Sequence, residues 1–600
     1  MSESFKTVLI KDSRIADLTS DEVYGVVAGG SQSTQQQIAA TSASGSSLVF
    51  QVQVPSENIV IDRNVLIQAN LDFYINISGQ QAGGIIQAGD QVFDYASTDA
   101  LQVFPLNSLF TTSSCTINNT NVSANTQDIF AQITRMNSAR ELYRYNSTSP
   151  SLPDSQWGTY AEGIQGTNNP LGGFSNNSLD LDFDPRGAFP VNISVRHTFN
   201  GGVDGSLVSV GDGAAESWRI RVQTFVTEPL FGLSPFTWCD PEFSSQGILG
   251  VNNMSLVFNI DATCKRLWSS ATGYIGSIQL NTPSCFSTCQ LLFTYLSLQP
   301  TDVVSTKNVC PYMDFPRFIS NTTQALPAWD PQAQIAANPA AFPYPTYYKL
   351  TSNSIQLNQV PDKMIIVARI PMAQQDWNNT SSFLPIQNIV CNFNNQSGLL
   401  SSATQVDLWK MSMRNGSQQN FNEFIGYAQV TDGNGAGALV TTTGAMLVIN
   451  PTIDFGLPNY LAAGSQGNFN FQFNLSVANT YQTQDVTPEL VLICVNSGIM
   501  VTSQGVSNLY TGMLTKEMVL KTCEEQAIDP VTSIEYQRLV GGKLHNMPLT
   551  GLHKIHKKRC GSSMKGGESS GGAMSGSAHY ASSGGVHSGG AKGKRTHKIL

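Results

Sequence analysis

The residues of this chain that could do chemistry are few. Of seven histidines, six (His545, His553, His556, His579, His587 and His597) fall after Gly541, leaving His197 alone in the body within "NISVRHTFN". A Ser-His-Asp or Cys-His centre would have to be built on that one residue, and a single histidine on a strand-like segment reads as structural. "LDLDFDPRG" sets Asp180, Asp182 and Asp184 at alternate positions, which resembles the opening of a calcium loop. Pro185 stands where the sharp turn needs glycine, and Val191 where a bidentate glutamate belongs. A solvated strand edge is the plainer reading, with an opportunistic calcium site as the other. Ten cysteines are scattered, and the close pair Cys285 and Cys289 has no second pair at zinc or redox spacing, so buried, reduced thiols are expected. "GNGAGA" is a turn, and neither a P-loop nor HExxH occurs. The expectation is a non-enzymatic protein with no catalytic, cofactor or metal residues.

The informative chemistry is charge. From Gly541 onward there are eight lysines and two arginines against the single Glu568, a net of +9, so the preceding 540 residues carry −18 of the overall −9. Segregation of this kind points to a body and a tail with different partners. Two basic clusters stand out: "HKIHKKRC", with Lys554, Lys557, Lys558 and Arg559, and "KGKRTHK", with Lys592, Lys594, Arg595 and Lys598. Such clusters neutralise phosphates without reading sequence, and Tyr580 is too isolated an aromatic to indicate base stacking. A solvated solubility tail and a nuclear-targeting signal are the alternatives.

The elements behind these residues are strands. In "NVLIQANLDFYINI", Val65, Ile67, Ala69, Leu71, Phe73, Ile75 and Ile77 alternate with mostly polar residues, the period of a strand with one buried face, on the order of 45 Å long. "NFNFQFNLSV" repeats this with Phe469, Phe471, Phe473, Leu475 and Val477 inward and uncharged Asn, Gln and Ser outward. Further strands are expected at 48–54, 218–226, 254–260, 291–298, 363–370 and 489–495, antiparallel because one face is polar. "TDGNGAG" (431–437) reads as a hairpin turn. Helical periodicity is confined to 125–136, with Ile129, Ile133 and Met136 on one face, and 402–413. Of the 600 residues 41% are hydrophobic, enough for sizeable cores, but only 12% are charged, about half the roughly 25% of ordinary domains, as if other subunits cover the surface. The N-terminus has no signal-like apolar core, and no segment approaches the roughly 20 apolar residues of a membrane span, so a cytosolic or nuclear site of synthesis is expected.

Three stretches carry a family likeness: "SLVFQVQVPSENIVIDRNVLIQ", "VTEPLFGLSPFTWCDPEFSSQGILGVNNMSLVFNID" and "LSLQPTDVVSTKNVCPYMDFPRF". Together they resemble the double jelly-roll major capsid proteins of virophages and polinton-like viruses, the wider group that includes adenovirus hexons, over roughly residues 15–510. The resemblance implies an all-β fold of two tandem eight-stranded antiparallel jelly-roll sandwiches, with short helices, an N-terminal arm and a flexible basic C-terminal tail. The division expected is an arm at 1–45, jelly rolls at 46–262 and 263–515, and a C-terminal segment at 516–600. It also implies a homotrimer forming a pseudo-hexagonal capsomer, with neighbouring capsomers, penton and minor capsid proteins as partners, in a virion assembled in host cytoplasm or nucleus. The lineage brings an adenovirus-type maturation protease that prefers Met, Ile or Leu, any residue, then Gly-Gly. Two of nine Gly-Gly pairs fit, Leu539-Val540-Gly541-Gly542 and Met564-Lys565-Gly566-Gly567, which would place cleavage between Gly542 and Lys543 or between Gly567 and Glu568. A plain flexible spacer is the alternative. In a particle the basic clusters would touch packaged double-stranded DNA or scaffold. Two other readings of the chain stay open: a capsid protein with one shell jelly roll plus a protruding domain, and a carbohydrate-binding β-sandwich protein.

Overall fold

The computed structural model of the chain describes residues 32 to 512, apart from short gaps and the stretches 86–92, 94–98, 154–190, 205–216, 237–246, 298–306 and 432–436. The Asp180, Asp182 and Asp184 run lies outside the described residues.

The alternating segment around Phe73 becomes the strand Leu66–Ser78, whose Ile67, Ala69, Leu71, Phe73, Ile75 and Ile77 are buried. Ser217–Pro229 pairs antiparallel along it, with Phe73 opposite Val222 and Ile75 opposite Ile220. Apolar residue meets apolar residue on one face, so a slip of one position would turn the whole set to solvent; burial therefore sets the register. This strand lies in an eight-stranded sheet, which faces a five-stranded sheet built on Phe110–Ile117, Asn253–Ile260 and Ser47–Gln53. The aromatic rings of Phe50, Phe110 and Phe258 interlock on the smaller sheet, while Trp268 meets Phe73 edge-on at 5.9 Å.

Two sequence expectations change here. The boundary at 262/263 does not end this sandwich, because Ile275–Leu280 and Cys289–Ser297 both pair with Leu66–Ser78. Leu291, Phe293 and Tyr295 are buried in the same core, and that shared apolar face draws the strand into the first sandwich. Nor does the arm stay apart up to residue 45. Gln32–Ala39 pairs with the far side of Cys289–Ser297, from Gln32 opposite Ser297 to Ala39 opposite Gln290. A polar strand thereby satisfies backbone groups that the edge would otherwise leave open.

The second sandwich sets a six-stranded sheet, centred on Glu489–Ser503 and Lys363–Arg369, against a five-stranded sheet centred on Gln466–Ala478 and Ile386–Phe393. Phe469, Phe471 and Phe473 point inward as expected, with Phe469 stacked on Phe393, Phe471 on Phe455, and Phe473 beside Phe471. Tyr427–Thr431 pairs with Gly437–Thr441, from Tyr427 opposite Thr441 to Thr431 opposite Gly437, on either side of the expected turn, whose residues 432–436 lie outside the described residues. The two expected helices are Thr126–Thr134 and Gln405–Arg414. The second is started by a capping box, in which the Thr404 hydroxyl accepts from the Asp407 N–H and the Asp407 carboxylate accepts from the Thr404 N–H. No helix among the described residues is long and apolar enough to cross a membrane.

Candidate functional site at the seam between the sandwiches

Lys363–Arg369 and Glu489–Ser503 do not have the polar outer face expected of them. Met364, Ile366 and Ala368 line the second sandwich's core with Leu490, Leu492 and Cys494. Their neighbours Ile365, Val367, Val491, Ile493 and Val495 face the other way, into a separate apolar cluster. That cluster is completed by Ile129, Phe130 and Ile133 of the helix Thr126–Thr134, together with Phe104 and Phe231, all from the first sandwich. The helix thus buries its apolar stripe against the outside of its neighbour's sheet. Each large side chain so buried contributes roughly 1.5–3 kcal/mol, and the cluster makes one body of two cores.

Charges are buried at the edge of this cluster. Asp128, in the first turn of the helix, accepts from Arg369 Nη2 at 2.6 Å and also pairs with Arg317. Arg369 Nε in turn donates to Glu489 Oε1 at 2.7 Å. Asp128 and Arg369 have side chains only 2% and 4% exposed, so neither can fall back on water. Two arginines and two carboxylates neutralise one another, which is the condition for tolerating ions inside protein.

A third buried carboxylate positions the approach to the seam. Glu228, fully buried, accepts from the N–H groups of Leu106 at 3.0 Å and Asn107 at 2.8 Å, from Asn107 Nδ2 at 2.8 Å and from Ser149 Oγ at 3.0 Å. It holds the start of the short helix Pro105–Leu109, next to Phe104 of the seam cluster. Burial pushes its carboxyl up to about 7, with those four donors pulling the other way. At another place the strand Val506–Thr511 ties the sandwiches again: Ser507 Oγ donates to the Ile117 carbonyl, and Thr120 Oγ1 donates to the Ser507 carbonyl at 2.6 Å.

Sequence reading found the helix 125–136 but not what it serves. The signal was present in "KMIIVARI" and "ELVLICV", which are nearly continuous apolar runs; such runs mark strands covered on both faces. The tail residues singled out from sequence (Gly542, Lys543, Gly567, Glu568 and the lysines and arginines from Lys554 to Lys598) lie outside the described residues. His197 falls on the strand Val191–Phe199, opposite Trp218 on one side and Asp204 on the other. Cys115, Cys264, Cys285, Cys289, Cys310, Cys391 and Cys494 are buried free thiols, and burial pushes those of Cys264, Cys285 and Cys289 up to about 12. Among the described residues no cluster of His, Cys, Asp and Glu could hold a metal.

Two antiparallel sandwiches in tandem, joined at the seam and again at Val506–Thr511, make up the fold, that of a double jelly roll. The Sputnik virophage structure obtained by cryo-EM superposes with a TM-score of 0.67 at 23% identity, over 92% of this chain and 100% of that one. The mavirus major capsid protein superposes with a TM-score of 0.58 at 12% identity, over 87% of this chain and 98% of that one. By sequence, the capsid protein V20 of Sputnik virophage is 26% identical over 555 residues, 89% of this chain and 84% of the relative. The family model for the Sputnik virophage major capsid protein 1st domain matches residues 3–296, and that for the major capsid protein V20 C-terminal domain matches 318–498. The chain belongs to the virophage major capsid protein family, whose members are structural proteins and not enzymes. The gap between the two matches, residues 297–317, begins at Ser297 and spans the stretch over which strand pairing changes from one sandwich to the other.

Proposed function

We propose that this capsid subunit trimerises into a pseudo-hexagonal capsomer in which three chains supply six jelly rolls, the first running to Ser297 and the second from Asn308. The observation that carries the reading is the seam: an apolar cluster and a buried ion network turn two rolls into one rigid tile, and a lattice needs tiles that do not flex at their middle. Uncharged outer faces support it. On Gln466–Ala478 the outward Asn470 and Gln472 are engaged with Ser354 and the Ser352 carbonyl, and such groups can be buried between subunits at lower cost than unpaired charge. Neighbouring capsomers, penton and minor capsid proteins would meet those faces. The tail, at +9, serves as the interior-facing segment, with Lys554, Lys557, Lys558, Arg559, Lys592, Lys594, Arg595 and Lys598 against packaged DNA or scaffold, until a maturation protease cuts after Gly542 or Gly567.

Light scattering of the purified chain tests the assembly. A mass of three times 64.7 kDa, about 194 kDa, is expected, and a monomer persisting across protein and salt concentrations would overturn the trimer. Intact mass spectrometry of particles tests the tail: loss of everything after Gly542 or Gly567 is expected, and a full-length mass rejects processing.

A further inference from the structure

The two sandwiches are built on one plan. In the first, Phe110–Ile117 turns through Asn118 and Asn119 into Thr120–Ala124 and leads to the helix Thr126–Thr134. In the second, Ile386–Phe393 turns through Asn394 and Asn395 into Gln396–Leu399 and leads to the helix Gln405–Arg414. Asn118 and Asn394 share a φ of +51°, and a buried cysteine, Cys115 or Cys391, stands three residues before each. The N–H of Asn118 donates to the Asn253 carbonyl at 2.9 Å and that of Asn394 to the Asn470 carbonyl at 2.8 Å, while their side-chain oxygens accept from the N–H groups of Asn252 and Asn470 at 2.9 and 2.8 Å. The sheets match too: Cys289–Ser297, Leu66–Ser78 and Ser217–Pro229 lie in that order in the first sandwich, as Glu489–Ser503, Lys363–Arg369 and Leu447–Ile449 do in the second.

Each sandwich therefore owns a helix and a sheet face of the same kind, but among the described residues the chain joins only one helix to one face. The first sandwich's helix lies on the second's sheet, over Ile365, Val367, Val491 and Ile493. The second sandwich's helix is fixed to its own body by Leu408 and by Ser412, whose hydroxyl accepts from the Val448 N–H at 3.0 Å. Its other side bears the exposed Val406 and Met413, two turns apart, and the Arg414–Asp454 pair brings Ile453, 64% exposed, to the same end as Met413. On the first sandwich the matching sheet face has Leu66 opposite Leu292 and Gln68 opposite Gln290, where the second has Ile365 opposite Ile493 and Val367 opposite Val491. Its polar groups are already paired: Gln68 Nε2 donates to Thr227 Oγ1 at 2.9 Å and Gln290 Nε2 to Gln68 Oε1 at 2.8 Å. Phe225, 43% exposed, stands beside them at an open groove of about 500 Å³. Such a face, uncharged and hydrogen-bonded within itself, loses little when it is covered.

We propose that the helix Gln405–Arg414 docks on this face of a second copy of the chain, repeating between chains the helix-on-sheet contact that Thr126–Thr134 makes within one. The inference rests on the trimer proposed above and names the surfaces that build it. The helix and the face are different surfaces, so the contact is head-to-tail, the kind that can close into a ring. The contact within the chain also sets the direction. Asp128, at the start of the first helix, meets Arg369; Val406, at the start of the second, should meet the matching Asn70, two residues beyond Gln68, and Phe225 opposite it.

Two measurements on the full chain test this. Val406→Cys combined with Phe225→Cys, treated with a short bismaleimide, should run at two and three chain masses in denaturing gels, where the parent treated alike runs as one. Val406→Glu combined with Met413→Glu should lower the light-scattering mass from about 194 kDa to 64.7 kDa at equal protein concentration. Both side chains are on the surface, so the fold should be kept; if the charged variant does not fold, the crosslink decides alone. A link within one chain, or no link, overturns the proposal, and so does a charged variant that keeps the full mass. With a parent that is trimeric, those results leave the trimer standing and remove only this contact. A parent that is itself monomeric removes the trimer and the contact with it.

Discussion

Asp128 Oδ1 lies 2.6 Å from Arg369 Nη2, and this contact joins a helix of the first sandwich to a central strand of the second across 241 positions of sequence. Glu489 completes the pair from the neighbouring strand, directly opposite Arg369 in the register. Removing one member leaves the buried network with an unbalanced charge, although Asp128 keeps Arg317 and Arg369 keeps Glu489. Asp128→Asn and Arg369→Met should each cost about 3–5 kcal/mol in urea unfolding, while the double variant should cost less than their sum by about 1 kcal/mol or more. Strict additivity would show that the two groups do not act on each other.

The apolar part of the seam should be separable from either core. Phe130, 3% exposed, packs across the joint, and Phe130→Ala should cost about 3–5 kcal/mol. Because that loss falls on the weld, calorimetry should resolve two transitions where the parent shows one. A single sharp transition in the variant would place the weld elsewhere.

Gly444 is required by space as well as by conformation. Its φ is +88°, and a Cβ there would come within 1.9 Å of the Phe383 carbonyl oxygen. Phe383 belongs to the seam cluster, so Gly444→Ala must displace backbone at the joint. Soluble yield should fall sharply and any folded fraction should melt lower; an unchanged melting point would contradict the close approach.

Stability should decline from pH 5 to pH 8. Burial raises the carboxyl of Glu228 from its usual 4.5 to about 7, so it holds a proton in the folded chain that the unfolded chain has already released. The stability this contributes is complete below about pH 4.5 and is lost as pH rises through about 7. Asp72 works in the opposite sense: burial raises its pKa, but hydrogen bonds from Arg221, Ser284 and Gln223 outweigh that and lower it, so its contribution is lost only as pH falls below the ordinary carboxylate range. Glu228→Gln should therefore gain on the parent as pH increases from 5 to 8. Parallel melting curves for the two proteins would remove Glu228 from the account.

If the tail contacts DNA, truncation after Gly542 should leave the melting point of the body unchanged and abolish retention on DNA. In the full chain, neutralising the four residues Lys592, Lys594, Arg595 and Lys598 should reduce the slope of log affinity against log salt by about 3–4. A slope unaffected by these charges would return the tail to the role of a spacer.

Period-two alternation in Leu66–Ser78 and Gln466–Ala478 was sufficient to identify strands, faces and core residues, because a side chain's side of a sheet depends only on odd or even position. Composition likewise separated the −18 body from the +9 tail, since charge is carried by residue type alone. Where the first sandwich ends was not local information. Cys289–Ser297 carries the same alternation as strands on either side of it, and only its pairing with Leu66–Ser78 and Gln32–Ala39 assigns it. The seam was decided at the same level. Asp128, Arg369, Glu489 and Arg266 look like ordinary surface charges in sequence. They become buried because tertiary packing brings a helix from one half onto a strand pair from the other and excludes the water that would otherwise solvate them.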